Sequence, residues 1–236
     1  MDEGGEGGSG SIRSWDGAGI LEVVWNLQRM GPGRLHALID GVFAIAVTLL
    51  VLDLPQLPGS ENFVHRLLAG WPSYLAYLIS FATIGIVWIE HQGMMSAVRF
   101  VNRRFLERTL LFLLFVSIIP WPTALAAEHI RQGGSSARAV AVLYAATMML
   151  MGLSIASSWR YLAKHEQLIA EPARAAMPAG GRRALLGALA YIPAIGLAFP
   201  TPALSLALDG AIAIYFAVSR SEVPGLIHRA AIKDVT

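Results

Sequence analysis

Three places in this chain set charged or metal-ligating side chains within otherwise apolar sequence, and each points to a different chemistry. Arg34, His36 and Asp40 bring a cation, an imidazole and a carboxylate to the start of a long apolar run. Glu90 and His91 sit side by side after Trp88, and Asp209 stands between Leu208 and Gly210. Imidazole and carboxylate together can ligate a metal or move a proton. A carboxylate inside a bilayer can contact an ion or pair with a neighbouring helix. Spacing separates these options. At about 100° per residue, Arg34 and Leu38 lie one turn apart while Asp40 falls on the opposite flank, so Arg34 and Asp40 serve different neighbours. Arg34 reads as an interfacial cation with its head toward water. Asp40 reads as a carboxylate tied to another helix, with direct ion contact as the alternative. Glu90 and His91, adjacent on a helix, point in different directions. A hydrogen-bonding role at an interface therefore suits His91 better than metal ligation. For Asp209 the expectation is a pairing with another helix, ahead of a proton or ion site.

Enzyme signatures are missing. The sequence holds no phosphate-binding Gly-rich loop, no HExxH and no GxSxG elbow, so no catalytic residue and no metal site is assigned. A membrane hydrolase drawing on His36, Glu90 and His91 lacks a nucleophile motif. With no cysteine, thiol catalysis, disulfides and Cys-ligated metals are excluded.

The elements that must carry these residues are membrane spans. Of 236 residues, 55% are hydrophobic and 14% charged, and the mean hydropathy is +0.56, too apolar for an ordinary water-facing surface. Apolar runs long enough to cross hydrocarbon are Leu35–Leu54, Trp71–Ile89, Phe105–Ala127, Ala139–Trp159, Ala184–Phe199 and Pro202–Ser219. The fold class is thus all-α, an integral membrane protein of six transmembrane helices, the last two forming a hairpin around Phe199–Pro202. Pro120, Pro122 and Pro193 should kink the third and fifth spans. The Gly-rich residues 1–17 read as a disordered leader, and 18–30 as an amphipathic interfacial helix or, equally, a partner-binding or frayed one. Residues 34–220 form the transmembrane domain and 221–236 a tail.

Basic residues give the direction. A pI near 9.1 could suggest nucleic acid, but the arginines and lysines cluster between apolar runs rather than along one stripe. With the amino terminus cytoplasmic, the outer loops hold only Arg66, Arg131 and Arg138 of the 18 basic residues, as the positive-inside rule requires of an even number of spans. The expected location is the cell's inner membrane, multi-pass, with both termini cytoplasmic.

Along the first span, Ile45, Leu49 and Leu52 repeat at i, i+4 and i+7, with Gly41 and Thr48 on the same face. Such a stripe is ordinary packing in a single six-helix bundle. The run Arg34-xxx-Leu38-Ile39-Asp40 and the apolar residues after it resemble the first helix of the transmembrane protein 175 family of endosomal and lysosomal potassium channels and their prokaryotic relatives. The family motif is Arg-xxx-Phe-Ser-Asp. Trp71-Pro72-Ser73-Tyr74-Leu75, Ile84 to His91 and Pro120-Trp121-Pro122-Thr123-Ala124 add to the resemblance. Leu38 and Ile39 depart from it, removing a serine hydroxyl near Asp40. That alters the polar network the family builds among Arg34, Asp40, Trp88 and His91.

The resemblance implies a modestly selective potassium channel, homotetrameric in the lipid bilayer, with four first helices lining a central pore through which potassium ions permeate. No cofactor and no nucleic acid are implied. On this reading Ile45 forms a narrow hydrophobic ring, Leu49 and Leu52 form further rings, Thr48 supplies hydroxyls, and Asp53 an outer acidic ring. The alternative is a small secondary transporter coupled through Asp40 or Asp209. Against it stands the lack of an inverted repeat.

Overall fold

The computed structural model describes residues 31–55, 62–129 and 133–219; the expected leader (1–17), amphipathic helix (18–30) and tail (221–236) lie outside them. The described residues are helical throughout, with one isolated antiparallel bridge, Val98 to Ile169, and no strand. The helices are α1 (Gly33–Leu49, ending in a 3-10 turn, Leu50–Asp53), α2 (Phe63–Ala69), α3 (Trp71–Met95), α4 (Arg103–Ile118), α5 (Pro120–His129), α6 (Gly134–Lys164), α7 (Met177–Leu189), α8 (Tyr191–Leu197) and α9 (Pro202–Val218).

Four stretches among the described residues are long and apolar enough to cross a bilayer: Gly33–Asp53, Trp71–Met95, Arg103–His129 and Gly134–Lys164. The fifth and sixth apolar runs are shorter helical pieces, α7 with α8, and α9. Proline explains two of the breaks. Pro120 has no N–H to give the Val116 carbonyl, which accepts instead from Ile119 N at 3.3 Å, and the helix restarts as α5. Pro193 likewise cannot donate to Leu189, and α7 ends at that residue.

The packing is that of a bundle whose helices approach through small residues. A Cβ added to Gly152 would lie 2.9 Å from that of Ala188, and one added to Gly180 would lie 2.6 Å from the Trp159 ring. Such positions let α6 and α7 come close enough for dispersion contacts along their length, the main attraction available where solvent is itself apolar. Between α3, α5 and α6 a buried hydroxyl cluster closes the contact, with Ser80 Oγ 2.8 Å from Thr123 Oγ1 and 2.9 Å from Tyr144 Oη.

The connections at one end of the bundle bind each other. Arg99 N donates to Leu168 O at 2.8 Å and Ala170 N to Ala97 O at 2.9 Å. Asn102 caps α4 by accepting from Phe105 N while its Nδ2 donates to Tyr161 Oη. Arg183 in the middle of α7 donates to Ser219 after α9, and Asp40 in the first half of α1 is bonded to the last turns of α3. The basic junctions Arg99–Arg108 and Arg160–Arg183 therefore share one end with the start of α1.

Candidate pore face

From Gly41 onward helix α1 is apolar on all sides, and the fold buries only one of them. Leu35, Ile39, Phe43, Ala46 and Leu50 are buried in the protomer core, Phe43 against the Phe112 ring at 5.9 Å. The opposite stripe is left bare: Ile45 is 61% exposed, Leu49 41% and Leu52 68%, and Leu38 extends it toward the amino end. Thr48 lies on this bare face, and its hydroxyl donates to the Ala44 and Ile45 carbonyls at 3.0 and 2.9 Å. With its proton engaged by the helix, the oxygen keeps lone pairs for an outside partner. Ile45 to Leu52 spans about 10 Å at 1.5 Å per residue, with Asp53 exposed at the far end.

A clasp to α3 holds this orientation. Asp40 Oδ1 accepts from Trp88 Nε1 at 2.9 Å and from Gln92 Nε2 at 2.6 Å. Trp88 and Gln92 are one turn apart on α3, so both donors reach one carboxylate. Gln92 was not among the residues the sequence singled out; its i, i+4 spacing from Trp88 is the signal that marks it. Arg34 is exposed and enters none of the hydrogen bonds or ion pairs among the described residues.

His91 corrects the sequence expectation. Its ring is buried, stacked on Phe112 with centroids 4.8 Å apart and planes 1° from parallel, and neither nitrogen has a hydrogen-bond partner among the described residues. It points into the protomer while Trp88 and Gln92 face α1, because residue 91 is rotated about 100° from residue 92. The motif substitution acts in the same region: Ile39 is fully buried within the core that contains Phe112, so the chain packs hydrocarbon where the family motif carries a hydroxyl. Asp209 is a second correction. It is buried, and both carboxylate oxygens lack a partner among the described residues, where a pairing was expected. Glu90 faces a cleft it shares with Thr83, Tyr191 and Arg183, away from His91. Among the described residues no group of three or more His, Asp or Glu is placed to hold a metal.

This arrangement can be compared with known proteins. The model of the family described as endosomal/lysosomal potassium channel TMEM175 matches residues 34–120, which contain all of α1 but its first residue, the clasp and α4. A potassium channel of Streptomyces collinus is 40% identical over 195 residues, covering 81% of this chain and 94% of the relative. The chain belongs to the TMEM175 family. A potassium channel of Chamaesiphon minutus is 37% identical, covering 81% of this TMEM175-family chain and 96% of the relative. The crystal structure of a lysosomal potassium-selective channel TMEM175 homolog from the same organism superposes with a TM-score of 0.71 at 34% identity, covering 80% of this chain and 97% of that one. The family is one of ion channels rather than enzymes, and this TMEM175 member is a multi-pass membrane protein.

Proposed function

We propose that this protein is a potassium channel of modest selectivity, formed by four copies of the chain around a pore lined by α1. The observation that carries the proposal is the bare apolar stripe of Leu38, Ile45, Leu49 and Leu52 on a helix whose other side is fully packed. Such a face requires an apolar neighbour or a shared axis. The similarity to named potassium channels across four-fifths of the chain favours the axis. Ile45 then forms the narrowest ring, with Leu49 and Leu52 beyond it, and water leaves such a neck readily. A cation crossing it sheds part of its hydration shell, which potassium holds less tightly than sodium. Four Thr48 oxygens offset some of that loss, while four Asp53 carboxylates concentrate cations at the mouth.

The six-span topology belongs to the same proposal. The fifth crossing is made by α7 and α8 together and the sixth by α9, whose 17 residues reach about 26 Å against a hydrocarbon core of about 30 Å. Both termini are cytoplasmic, on the side of the basic junctions, in the inner membrane. Direct recording of the purified protein in a planar bilayer with asymmetric potassium and sodium is the test. The channel reading requires current that follows the potassium gradient alone and reverses nearer the potassium than the sodium potential.

A second reading, a secondary transporter, draws on one observation: the buried carboxylate of Asp209, which has no partner among the described residues. It requires potassium movement to stop when the proton and sodium gradients are collapsed, and to stop again in Asp209→Asn. Flux that persists in both cases rejects it.

A further inference from the structure

The basic end of the bundle contains a site that the pore does not use. A cavity of about 270 Å³ opens between the end of α6 and the start of α7, lined by Arg160, Lys164 and Arg182 together with Met177, Pro178 and Leu185. A groove of about 730 Å³ runs between α7 and α9, lined by Arg182 and Arg183 at one end and by Leu186, Ile212, Tyr215 and Phe216 along its length. The two meet at one side chain. On α7, residues 178, 181 and 185 line the cavity and residues 179 and 186 line the groove, joined by Ala190 just past the helix end. These are adjacent helical faces, with Arg182 on the ridge between them.

Among the described residues, the charges at this junction are not balanced. The acids of the α6–α7 connection, Glu166 and Glu171, both pair with Arg174, at 3.7 and 3.8 Å. Arg160, Lys164 and Arg182 are exposed and take part in none of the ion pairs among the described residues. Three cations with no acidic partner among the described residues thus surround a cavity whose neighbour is an apolar trough leading away from them. The groove volume falls within the range of about 300–1,000 Å³ typical of small-molecule sites.

We infer that this junction is a binding site for one anionic glycerophospholipid per chain, its phosphate held by Arg160, Lys164 and Arg182 and an acyl chain lying in the α7–α9 groove. The chemistry matches at both ends. A phosphate is the natural partner of converging arginine and lysine heads, and basic pockets between helices at the membrane surface take acidic headgroups. The groove begins at the arginines and continues along Leu186 on α7 to Ala190 just past its end, the direction in which a lipid held by its phosphate extends its tail. The inference needs α6, α7 and α9 to lie in a bilayer; it does not depend on where ions cross.

The test is native mass spectrometry of the purified, delipidated full-length protein titrated with phosphatidylglycerol or phosphatidylcholine, with the mass of the assembly read in the same spectra. The wild type should take one phosphatidylglycerol per chain in preference to phosphatidylcholine. Arg182→Gln should weaken it about fivefold, and the triple change Arg160→Gln, Lys164→Gln and Arg182→Gln about a hundredfold, at about fivefold per charge. Arg104→Gln, an exposed cation at the same end but outside both cavities, should bind as the wild type does. Leu186→Trp keeps every charge but fills the groove, and should lose the lipid as well. Arg182→Lys should retain it, so a triple variant that fails to fold leaves two variants to decide. Equal uptake of the two lipids, or undiminished binding in both Arg182→Gln and Leu186→Trp, overturns the inference. So does displacement of the lipid by millimolar inorganic phosphate, which would mark an ion site without a tail. A smaller assembly in Leu186→Trp overturns it too, because the groove would then hold another protein chain.

Discussion

The clasp between α1 and α3 gives a prediction whose size follows from the geometry. Asp40 Oδ1 receives two donors, Trp88 Nε1 at 2.9 Å and Gln92 Nε2 at 2.6 Å. Hydrogen bonds to a charged group contribute about 1.5–3 kcal/mol each, and the partial exposure of Asp40 and Trp88 reduces that by roughly half through solvent screening. Asp40→Ala should therefore destabilise the protein by about 2 kcal/mol. Trp88→Phe, which keeps the ring and removes the N–H, should cost about 1 kcal/mol. Once Asp40 is gone the indole has nothing to donate to, so the double variant should cost little more than Asp40→Ala alone. A double-mutant cycle by equilibrium unfolding in mixed micelles should give a coupling energy of about 1 kcal/mol. Gln92→Ala should couple to Asp40 with similar size. Additivity within about 0.3–0.5 kcal/mol, the tolerance for independent sites, would refute the clasp. The functional consequence follows from rotation: the carboxylate fixes how α1 turns about its axis, and a slip of one residue, about 100°, would swing Ile45 off its face. Asp40→Ala should therefore also lower potassium selectivity in the bilayer recordings.

The remaining predictions use contrasts that the fold supplies. Ile45→Asn should change stability by no more than about 0.5 kcal/mol, since the side chain is exposed in the protomer, yet raise sodium permeation; a barrier change of about 0.35 kcal/mol per chain, met four times, is tenfold in rate. Phe43→Ala, two residues away on the buried face, should instead cost about 3 kcal/mol in a melting experiment and leave the ion ratio of the folded fraction unchanged. Gly180→Val should abolish folded protein in size-exclusion profiles, because a Cβ there falls 2.6 Å from the Trp159 ring. Asp53→Asn should reduce single-channel conductance in low salt and do so much less near 1 M, where charges are screened within about 3 Å. Asp209→Leu should raise stability by about 1–3 kcal/mol in unfolding assays, since it replaces a buried polar group that has no partner among the described residues.

The covalent order of residues determined the class of molecule. Apolar runs of span length, cationic clusters at alternate junctions and prolines within two spans depend on local composition and on the bilayer as solvent, and both are present in the linear text. The helix breaks at Pro120 and ahead of Pro193 follow from one missing N–H each. The stripe of Ile45, Leu49 and Leu52 was equally legible as a stripe. Whether it faced a core or stayed bare was not, because α1 is apolar all round from Gly41 onward and periodicity cannot rank two greasy faces. Tertiary packing decided that by filling Ile39, Phe43 and Leu50 with partners and leaving the other side open. The same holds for His91, Gln92 and Asp209. Their types announce hydrogen bonding, but a 100° step between neighbours sends Gln92 to Asp40 and His91 onto Phe112, and that outcome depends on how α3 is turned against α1 and α4. The cavities around Arg182 lie further still from the sequence, since they are gaps left where α6, α7 and α9 fail to meet, and a gap has no residue of its own to announce it.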